Sequence, residues 1–252
     1  MYLIITMAGR GTRLKRRSPN KPKFMVKING ISLLQRTLNS SNSLEFEKIF
    51  VVSIKNDKEK YQLKSSIANA LGNDNIEFIE VDEPTDSQVH SAYLAIKRIS
   101  KKTPVYIQNI DTQFTISNIH QLSVFTEKSI CLPIFESRNP DHSYIRRSSS
   151  GVKEVCEGFC GSICAVSGFY GFSDAIDLAN YMLIQIKLSN SYCSELKFSK
   201  VINSMLREGY QIVTPTLSEC IPLGTELEIN NFLAKKIKLK PQLNANRHCE
   251  EF

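Results

Sequence analysis

The sequence predicts an α/β protein with a mixed, mainly parallel sheet flanked by helices and extended by an antiparallel addition. In the first half, short apolar runs rich in β-branched residues alternate with segments whose apolar residues repeat at helical spacing. Alternation of this kind is typical of a parallel sheet, because a helix usually carries the chain back between parallel strands. In the second half, several strand-like runs follow one another, which indicates antiparallel pairing.

Strands are predicted in the first half at residues 3–7, 48–54, 76–81 and 104–109. Helices are predicted between them at residues 32–38, 58–71 and 89–99. This order is Rossmann-like, and open sheets of this type bind ligands in the crevice at the carboxyl ends of their strands.

After residue 111 the predicted strands are 129–135, 143–147, 152–157 and 163–172, with a hairpin turn at 148–151. Two further helices are predicted at residues 173–187 and 195–207. No repeat, low-complexity tract or linker rich in proline and glycine divides the chain, so we expect a single domain.

The composition is typical of a water-soluble globular protein. Hydrophobic residues make up 42% and charged residues 23% of the 252 residues, and no run approaches the roughly 20 apolar residues of a membrane helix. The cysteines number seven, and an odd number favours free thiols over a disulfide framework. The apolar start at residues 2–8 is too short for the core of a signal peptide. We therefore expect a cytoplasmic protein without membrane insertion.

The formal net charge of +7 raises the question of nucleic-acid binding. The basic residues are concentrated at residues 10–27 and 235–240. They do not form a long stripe with interleaved aromatic residues, as a nucleic-acid surface would. The first cluster suits a compact polyanion such as a triphosphate, so we expect a small anionic ligand and no nucleic acid.

A glycine-rich loop follows the first predicted strand. Gly9 and Gly11 allow the backbone to approach a ligand closely and to turn its N–H groups towards an anion. Arg13 and Lys23 add cations nearby, arginine as a bidentate fork and lysine as a point charge. The segment has neither the Walker A pattern nor the GxGxxG pattern of dinucleotide-binding proteins. The loop therefore predicts a phosphate site of another kind.

The run Gly9-x-Gly11-Thr12-Arg13, followed by Asn-Lys-Pro-Lys-Phe-Met-Val at residues 20–26, resembles the signature of sugar-phosphate nucleotidylyltransferases. These enzymes have the nucleotide-diphospho-sugar transferase fold. The resemblance implies that the loop wraps the nucleotide phosphates, that Arg13 steadies the β- and γ-phosphates, and that Lys23 reaches the reacting phosphate. The nucleotide-binding residues that it implies are Ala8, Gly9, Gly11, Thr12, Arg13, Lys23 and Gln88.

Gln88 lies in the segment, residues 84–92, where the family contacts the nucleobase. Its side-chain amide has both a donor and an acceptor, as recognition of a base edge requires. Asp86 or Ser87 could instead be present only to cap the following helix. The base contact at Gln88 and the simple helix cap are both open at this point.

Asp111 ends an apolar strand and is the expected ligand of a Mg²⁺ cofactor, which proteins usually hold through one or two carboxylates together with substrate phosphates. The resemblance implies the same role, since the family has its metal-binding Asp at the end of the corresponding strand. The expected catalytic residues are Arg13, Lys23 and Asp111. The family often has a second metal-binding Asp before a late Gly-Thr element, but none precedes Gly224 here. The open substitutes are Glu195, Glu219 and Glu226, or water and substrate oxygens alone.

Ser143, Glu157 and Gly168 lie in segments that resemble the sugar site of the family and are the expected acceptor-binding residues. A carboxylate such as Glu157 can accept hydrogen bonds from two hydroxyl groups. The chain departs from the family at Gly158, where a lysine commonly contacts the phosphate of the acceptor. An unusual acceptor is therefore open, as is a basic residue from elsewhere. The basic candidates are Arg146, Arg147 and Lys153.

The resemblance implies a single nucleotidyltransferase domain over residues 1–252, with a nucleotide-binding half at 1–112, an acceptor-binding half at 113–234 and a tail at 235–252. The expected reaction joins an NTP to a sugar phosphate, or to an alcohol phosphate such as phosphocholine, and releases pyrophosphate. Its product would feed cell-surface polysaccharide synthesis. The nucleobase, the acceptor and the oligomeric state cannot be read from the residues.

Two alternatives to this reaction remain. A glycosyltransferase of related fold would normally have a DxD metal motif, whereas residues 109–111 are Asn-Ile-Asp and contain only its second carboxylate. A nucleotide-binding regulatory subunit without catalysis would account for Gly158 and for the missing second Asp. Binding of an NTP without turnover would distinguish the regulatory subunit from the enzyme.

Overall fold

The computed structural model describes residues 1–14, 16–17, 21–123, 125–149, 151–189 and 195–245, with side chains up to residue 235. Asn20 of the lysine segment and Ser150 of the predicted hairpin turn lie outside these ranges. The strands are β1 (Tyr2–Thr6), β2 (Lys27–Ile28), β3 (Ile31–Ser32), β4 (Lys48–Ile54), β5 (Ile76–Val81), β6 (Val105–Gln108), β7 (Thr112–Thr115), β8 (Ser129–Cys131), β9 (Ile134–Glu136), β10 (Ser143–Ser148), β11 (Gly151–Glu157), β12 (Cys164–Val166), β13 (Phe169–Phe172), β14 (Gln211–Val213) and β15 (Glu219–Pro222). The helices are α1 (Leu33–Asn39), α2 (Asp57–Lys60), α3 (Leu63–Leu71), α4 (Gln88–Ile96), α5 (Ala175–Ser189), α6 (Phe198–Arg207) and α7 (Glu226–Ala245).

A seven-stranded sheet in the order β14-β8-β13-β6-β1-β4-β5 forms the centre of the molecule. β1 pairs in parallel with β4 and β6, whereas β13 runs antiparallel to β6 and β8. A second sheet, in the order β11-β10-β12-β9, is antiparallel. The predicted α/β class, with a mainly parallel central sheet and an antiparallel addition, is confirmed.

The chain reverses its direction of winding beside β1. It passes from β1 to β4 and β5 on one side, then returns to β6 on the other side of β1. A reversal of this kind opens a crevice at the carboxyl ends of the strands, where the flanking loops diverge. The loops that follow β1, β5 and β6 all begin at this edge of the sheet.

Helices cover both faces of the central sheet. Successive side chains of a strand point to opposite faces, so one strand can contribute to a cluster on each face. In β1, Ile4 packs in a cluster with residues of α4 and α5. Leu3 and Ile5 pack in a second cluster with residues of α1 and α3. A third, smaller cluster joins the turn after the glycine loop to the β2–β3 hairpin and α7; its fully buried members include Leu14 and Leu223.

Each of the two longest strands predicted in the second half proves to be two strands in different sheets. Residues 129–135 form β8 and β9, because Pro133 has no N–H with which to continue the ladder. Residues 163–172 form β12 and β13, with a break at Ser167 and Gly168, where Gly168 has a φ of +83°. The amide of Ser167 donates to the carbonyl of Pro133 at 3.0 Å. Two neighbouring strands therefore pass side by side from the central sheet into the second sheet.

The helix predicted at residues 58–71 is also interrupted. α2 ends at Lys60 and α3 begins at Leu63, and Gln62 between them has a left-handed φ of 49°. The break allows Tyr61 to pack edge-on against Phe24 at 5.5 Å, while the apolar face of α3 stays buried against the sheet.

Sequence reasoning did not find the two-stranded ribbon of β7 and β15 or the long helix α7. The tail predicted from residue 235 is helical as far as Ala245. Among the described residues, no helix has both the length and the apolar character needed to cross a bilayer.

We expect Gly171→Ala to lower the free energy of unfolding by about 1–3 kcal/mol through overpacking. A Cβ on Gly171 would lie 2.5 Å from Cε1 of Tyr106, whose fully buried ring stacks on Phe169 at 4.2 Å. Urea denaturation measures the change. Gly9→Ala is the matched control, since a Cβ there would meet no atom within 4 Å. Equal stability of the two variants would contradict the prediction.

Candidate active site

A cavity of about 790 Å³ opens at the carboxyl ends of β1, β5 and β6. Almost all the residues expected at the site line it: Gly9, Gly11, Thr12, Arg13, Lys23, Gln88, Asp111, Ser143, Glu157 and Gly168. Ala8 is the exception. It is fully buried, and its carbonyl accepts a hydrogen bond from the amide of Thr85 at 3.0 Å. Ala8 therefore anchors the glycine loop to the segment before α4 instead of facing the cavity.

The glycine loop and the lysine segment pack directly against each other. Gly11 has a left-handed φ of +59°, and a Cβ on it would lie only 3.1 Å from Cβ of Lys23. Glycine is therefore favoured at position 11 both by the backbone conformation and by the close approach of the lysine. This contact explains why the two parts of the sequence motif occur together.

Lys23 is directed into the cavity by its neighbours in the chain. Pro22 is extended, and the short 3-10 turn Lys23–Met25 begins immediately after it. Phe24, 1% exposed, is buried in the core beside Tyr61. Because Phe24 points into the core, the preceding side chain is left to face the cavity.

Lys23 forms an ion pair with Asp111 across 88 positions of sequence. The two side chains are only 16% and 15% exposed. Burial by itself would raise the pKa of Asp111, but the Lys23 ammonium and the Arg13 guanidinium outweigh it and lower the pKa below its ordinary value. Asp111 is therefore a carboxylate at neutral pH.

The floor of the cavity is a hydrogen-bonded group around Asn109. Gln88 Nε2 donates to Asn109 Oδ1 at 3.0 Å and to Thr6 Oγ1 at 3.3 Å. Gly168 leaves the space that Asn109 fills, since a Cβ there would lie 2.1 Å from Asn109 Nδ2. Ser87 caps α4, with its hydroxyl accepting from the amide of His90 at 3.2 Å. Gln88 and Gly168 thus line the cavity, and both also support Asn109.

The far end of the cavity is formed by the antiparallel sheet. Ser143 Oγ donates to Glu157 Oε1 at 3.1 Å, across the β10–β11 pair. Burial raises the pKa of Tyr170, and the carboxylates of Glu157 and Asp111 raise it further, so the phenol stays protonated. Gly158 has a left-handed φ of +77°, a conformation in which a lysine would be strained.

The three basic residues considered as substitutes for the family lysine do not line the cavity. Arg146 pairs with Glu154, and Arg147 donates to the hydroxyl of Thr214. Lys153 is exposed on β11. None of them is placed to meet a phosphate at the centre of the site.

Sequence reasoning missed the carboxylate of Glu228, which lines the cavity beside His142. Glu228 Oε2 accepts from the amide of Thr225 at 2.9 Å, and Thr225 Oγ1 accepts from the amide of Glu228 at 3.2 Å. The Thr-x-x-Glu pattern of this capping box was visible in the sequence. Of the residues considered as second acids, Glu195 lines the cavity and pairs with Lys197 at 3.0 Å. The other two, Glu219 and Glu226, do not line it.

Comparison with protein families decides the class of this protein. Residues 3–150, more than half of the chain, match the MobA-like NTP transferase domain. The chain belongs to this family. The expectation of an enzyme of the nucleotidyltransferase type, which rested on the glycine loop and its lysine, is thereby confirmed.

Solved structures support the fold of this nucleotidyltransferase over nearly its whole length. A nucleoside-diphosphate-sugar pyrophosphorylase from Vibrio cholerae RC9 is 17% identical with a TM-score of 0.73, and the match covers 93% of this chain and 100% of the other. A UDP-glucose pyrophosphorylase complexed with UDP-glucose is 15% identical with a TM-score of 0.73, covering 93% and 98%. The inositol-1-phosphate CTP transferase from T. maritima is 14% identical with a TM-score of 0.71, covering 90% of each chain.

The residues of the nucleotidyltransferase site fit a divalent metal, which members of the family generally use. Asp111 offers an ionised, hard oxygen donor in the same cavity as the cations of the phosphate loop. Among the described residues, no group of three or more His, Cys, Asp or Glu side chains could hold a metal ion. Mg²⁺ is commonly held by one or two carboxylates and completes its coordination with substrate oxygens and water.

We expect Lys23→Met to lower the free energy of unfolding at neutral pH and to make it less dependent on acid than in the parent. Because the pKa of Asp111 is lowered in the folded protein, its contribution to stability is present above about pH 3.9, the ordinary pKa of aspartate, and is lost as the pH falls through the lower folded value. Without Lys23, burial raises this pKa. Ionised Asp111 then destabilises the folded protein at neutral pH, and its protonation on acidification restores stability.

Urea denaturation at several pH values between 7 and 3, followed by circular dichroism, measures this acid transition in stability. Lys27→Met, which changes an exposed lysine of β2, is the matched control and leaves the transition where it is. An acid transition that is the same in the Lys23 variant and the parent would overturn the assignment of Lys23 as the main stabiliser of ionised Asp111.

Proposed function

We propose that the protein is a cytoplasmic, Mg²⁺-dependent nucleotidyltransferase that joins an NTP to a sugar phosphate, or to a similar phosphorylated small molecule, and releases pyrophosphate. The observation that carries the proposal is the convergence of Arg13, Lys23 and Asp111 on one cavity at the carboxyl ends of the central sheet. The sugar acceptor is supported by the names of two similar structures, a nucleoside-diphosphate-sugar pyrophosphorylase and a UDP-glucose pyrophosphorylase. Activated sugars of this kind are donors for polysaccharide synthesis.

The distribution of charge supports an orientation for the two substrates. Arg10, Arg13 and Lys23 line the part of the cavity formed by the glycine loop and the lysine segment, whereas Ser143 and Glu157 line the part formed by the antiparallel sheet. We place the triphosphate at the basic end, where backbone amides and cations can bind it. The acceptor lies at the other end, where the carboxylate of Glu157 can accept hydrogen bonds from its hydroxyl groups. Residues 1–112 then bind the nucleotide, and residues 113–234 bind the acceptor.

The chemistry is an in-line displacement at the α-phosphorus. An oxygen of the acceptor phosphate forms a new bond to the α-phosphorus, the bond between that phosphorus and the α–β bridging oxygen breaks, and pyrophosphate leaves beside Arg13. Lys23 exchanges its bond to Asp111 for the α-phosphate and stabilises the charge that develops there. Asp111 would hold Mg²⁺, which would supply further charge neutralisation.

No general base is required by this reaction. A phosphate monoester has a second pKa near 6 and is therefore largely doubly ionised at neutral pH. The side chains around the acceptor need only hold it in line and exclude water. Ser143 and Glu157, joined by their hydrogen bond, suit the first of these tasks.

We expect the purified protein to release pyrophosphate from at least one NTP when Mg²⁺ and a sugar 1-phosphate are present. A thermal-shift panel of NTPs identifies the base first, because a ligand at 100 times its Kd stabilises the folded state by about 2.7 kcal/mol. An enzyme-coupled pyrophosphate assay then compares sugar phosphates with phosphocholine. An NTP that binds without turnover with any acceptor would favour the regulatory subunit. An absence of both binding and turnover would sink the proposal.

We expect Arg13→Ala to lower kcat about 10²–10³-fold, the usual loss when one donor to developing charge is removed. Lys27→Ala is the matched control, because Lys27 is exposed on β2 and does not line the cavity. Steady-state pyrophosphate release measures both variants. If the two variants have the same kcat, Arg13 has no role in holding the leaving group.

A further inference from the structure

Two carboxylates share a small space above Gly224. A Cβ placed on Gly224 would lie 2.8 Å from Asp111 Oδ2 and 3.5 Å from Glu228 Oε2. An alanine at this position would fill the space that separates the two oxygens. The acids come from different parts of the chain, Asp111 from the segment between β6 and β7 and Glu228 from the first turn of α7.

The ribbon of β7 and β15 brings these two parts together. Pro222 is paired with Thr112, the residue after Asp111, and the amide of Leu223 donates to the carbonyl of Asp111 at 2.7 Å. Gly224 follows directly, and α7 begins two residues later. The backbone around Gly224 is therefore fixed against the backbone of Asp111 and Thr112.

Leu223 stands where the resemblance places a second metal-binding Asp, before the Gly-Thr element. It cannot serve as a ligand, since it is 1% exposed and packs in the cluster that joins the β2–β3 hairpin to α7. The site would have a single carboxylate if position 223 were its only other source. Glu228, five positions later, provides a second carboxylate in the same space.

Glu228 is held in place by groups that leave part of its carboxylate available. Oε2 accepts one hydrogen bond, from the amide of Thr225, and a carboxylate oxygen has a second lone pair. Oε1 lies 3.1 Å from His142 Nε2, and His142 Nδ1 lies 2.9 Å from Ser137 Oγ. Partners of this kind orient the ligands of metal sites. The Glu228 side chain is 14% exposed, so it faces the cavity without being open to bulk water.

We propose that Glu228 is the second carboxylate of the metal site, facing Asp111 across Gly224, and that His142 is its positioning residue. This inference rests on the proposed function, because it concerns the metal which that function requires. Glu228 binds the ion directly or through one of the waters that Mg²⁺ keeps. The capping box thus has two tasks, to begin α7 and to fix a metal ligand.

The test is a titration of the full chain with Mn²⁺ in the absence of nucleotide. The electron paramagnetic resonance signal of free Mn²⁺ measures how much of the ion is bound. We expect Glu228→Gln to weaken binding at least about tenfold, while its amide oxygen still accepts from Thr225 and keeps α7 capped. Glu219→Gln, at an exposed carboxylate of β15, is the matched control and leaves binding unchanged. Gly224→Ala should also lose Mn²⁺, because its methyl group enters the shared space.

Lys23→Met provides a background in which the ammonium that shares Asp111 is absent. Mn²⁺ should bind this variant more tightly than the parent, and adding Glu228→Gln should again weaken it at least about tenfold. Thermal melts of every variant establish that it is folded.

Unchanged Mn²⁺ binding in Glu228→Gln, while Asp111→Asn loses it, would overturn the inference and leave the proposed function intact. An absence of Mn²⁺ binding in both the parent and Lys23→Met would also overturn the inference. Failure of the proposed function is read separately, as a lack of pyrophosphate release with every NTP and acceptor.

Discussion

The structure of the site depends on one electrostatic constraint: Lys23 and Asp111 are mostly buried, carry opposite charges and must stay together. A charge removed from water is costly unless it is paired, and breaking a buried pair by removing one partner is typically more destabilising than losing a surface pair. The pair joins the segment after the glycine loop to the segment between β6 and β7. Gly11 packs against Lys23, and Phe24 is buried in the core beside it. The β7–β15 ribbon begins directly after Asp111. In the proposed function, an entering triphosphate replaces the contact of Lys23 with Asp111 by one to the substrate.

The first half of the fold was predictable because each of its signals is local. A strand such as β4 has a continuous apolar run bounded by polar residues, and its predicted bounds, 48–54, are those observed. The glycine loop was equally readable, because its glycines and the basic residues that follow form a pattern in the sequence itself. The structure adds the reason for glycine at position 11, which is its left-handed backbone and its contact with Lys23. The motif could therefore be recognised before its geometry was known.

The second half was harder because its breaks depend on tertiary context. Residues 129–135 and 163–172 are mostly apolar, and Pro133 and the Ser167-Gly168 pair are the points at which they break. Nothing in either run tells which residues pair in which sheet. Glu228 was missed for a related reason. A Thr-x-x-Glu pattern predicts a helix start, but only the ribbon that brings Gly224 to Asp111 turns this cap towards the cavity. Gly168, in turn, was read as an acceptor residue, and its contact with Asn109 became visible only in three dimensions.

At Pro133 and Ser167, two neighbouring strands cross together between the two sheets. A hinge between the two sheets would have to bend both strands at the same point and break the hydrogen bond between them. The crossing therefore couples the antiparallel sheet, which carries Ser143 and Glu157, to the central sheet, so the two ends of the cavity keep their separation.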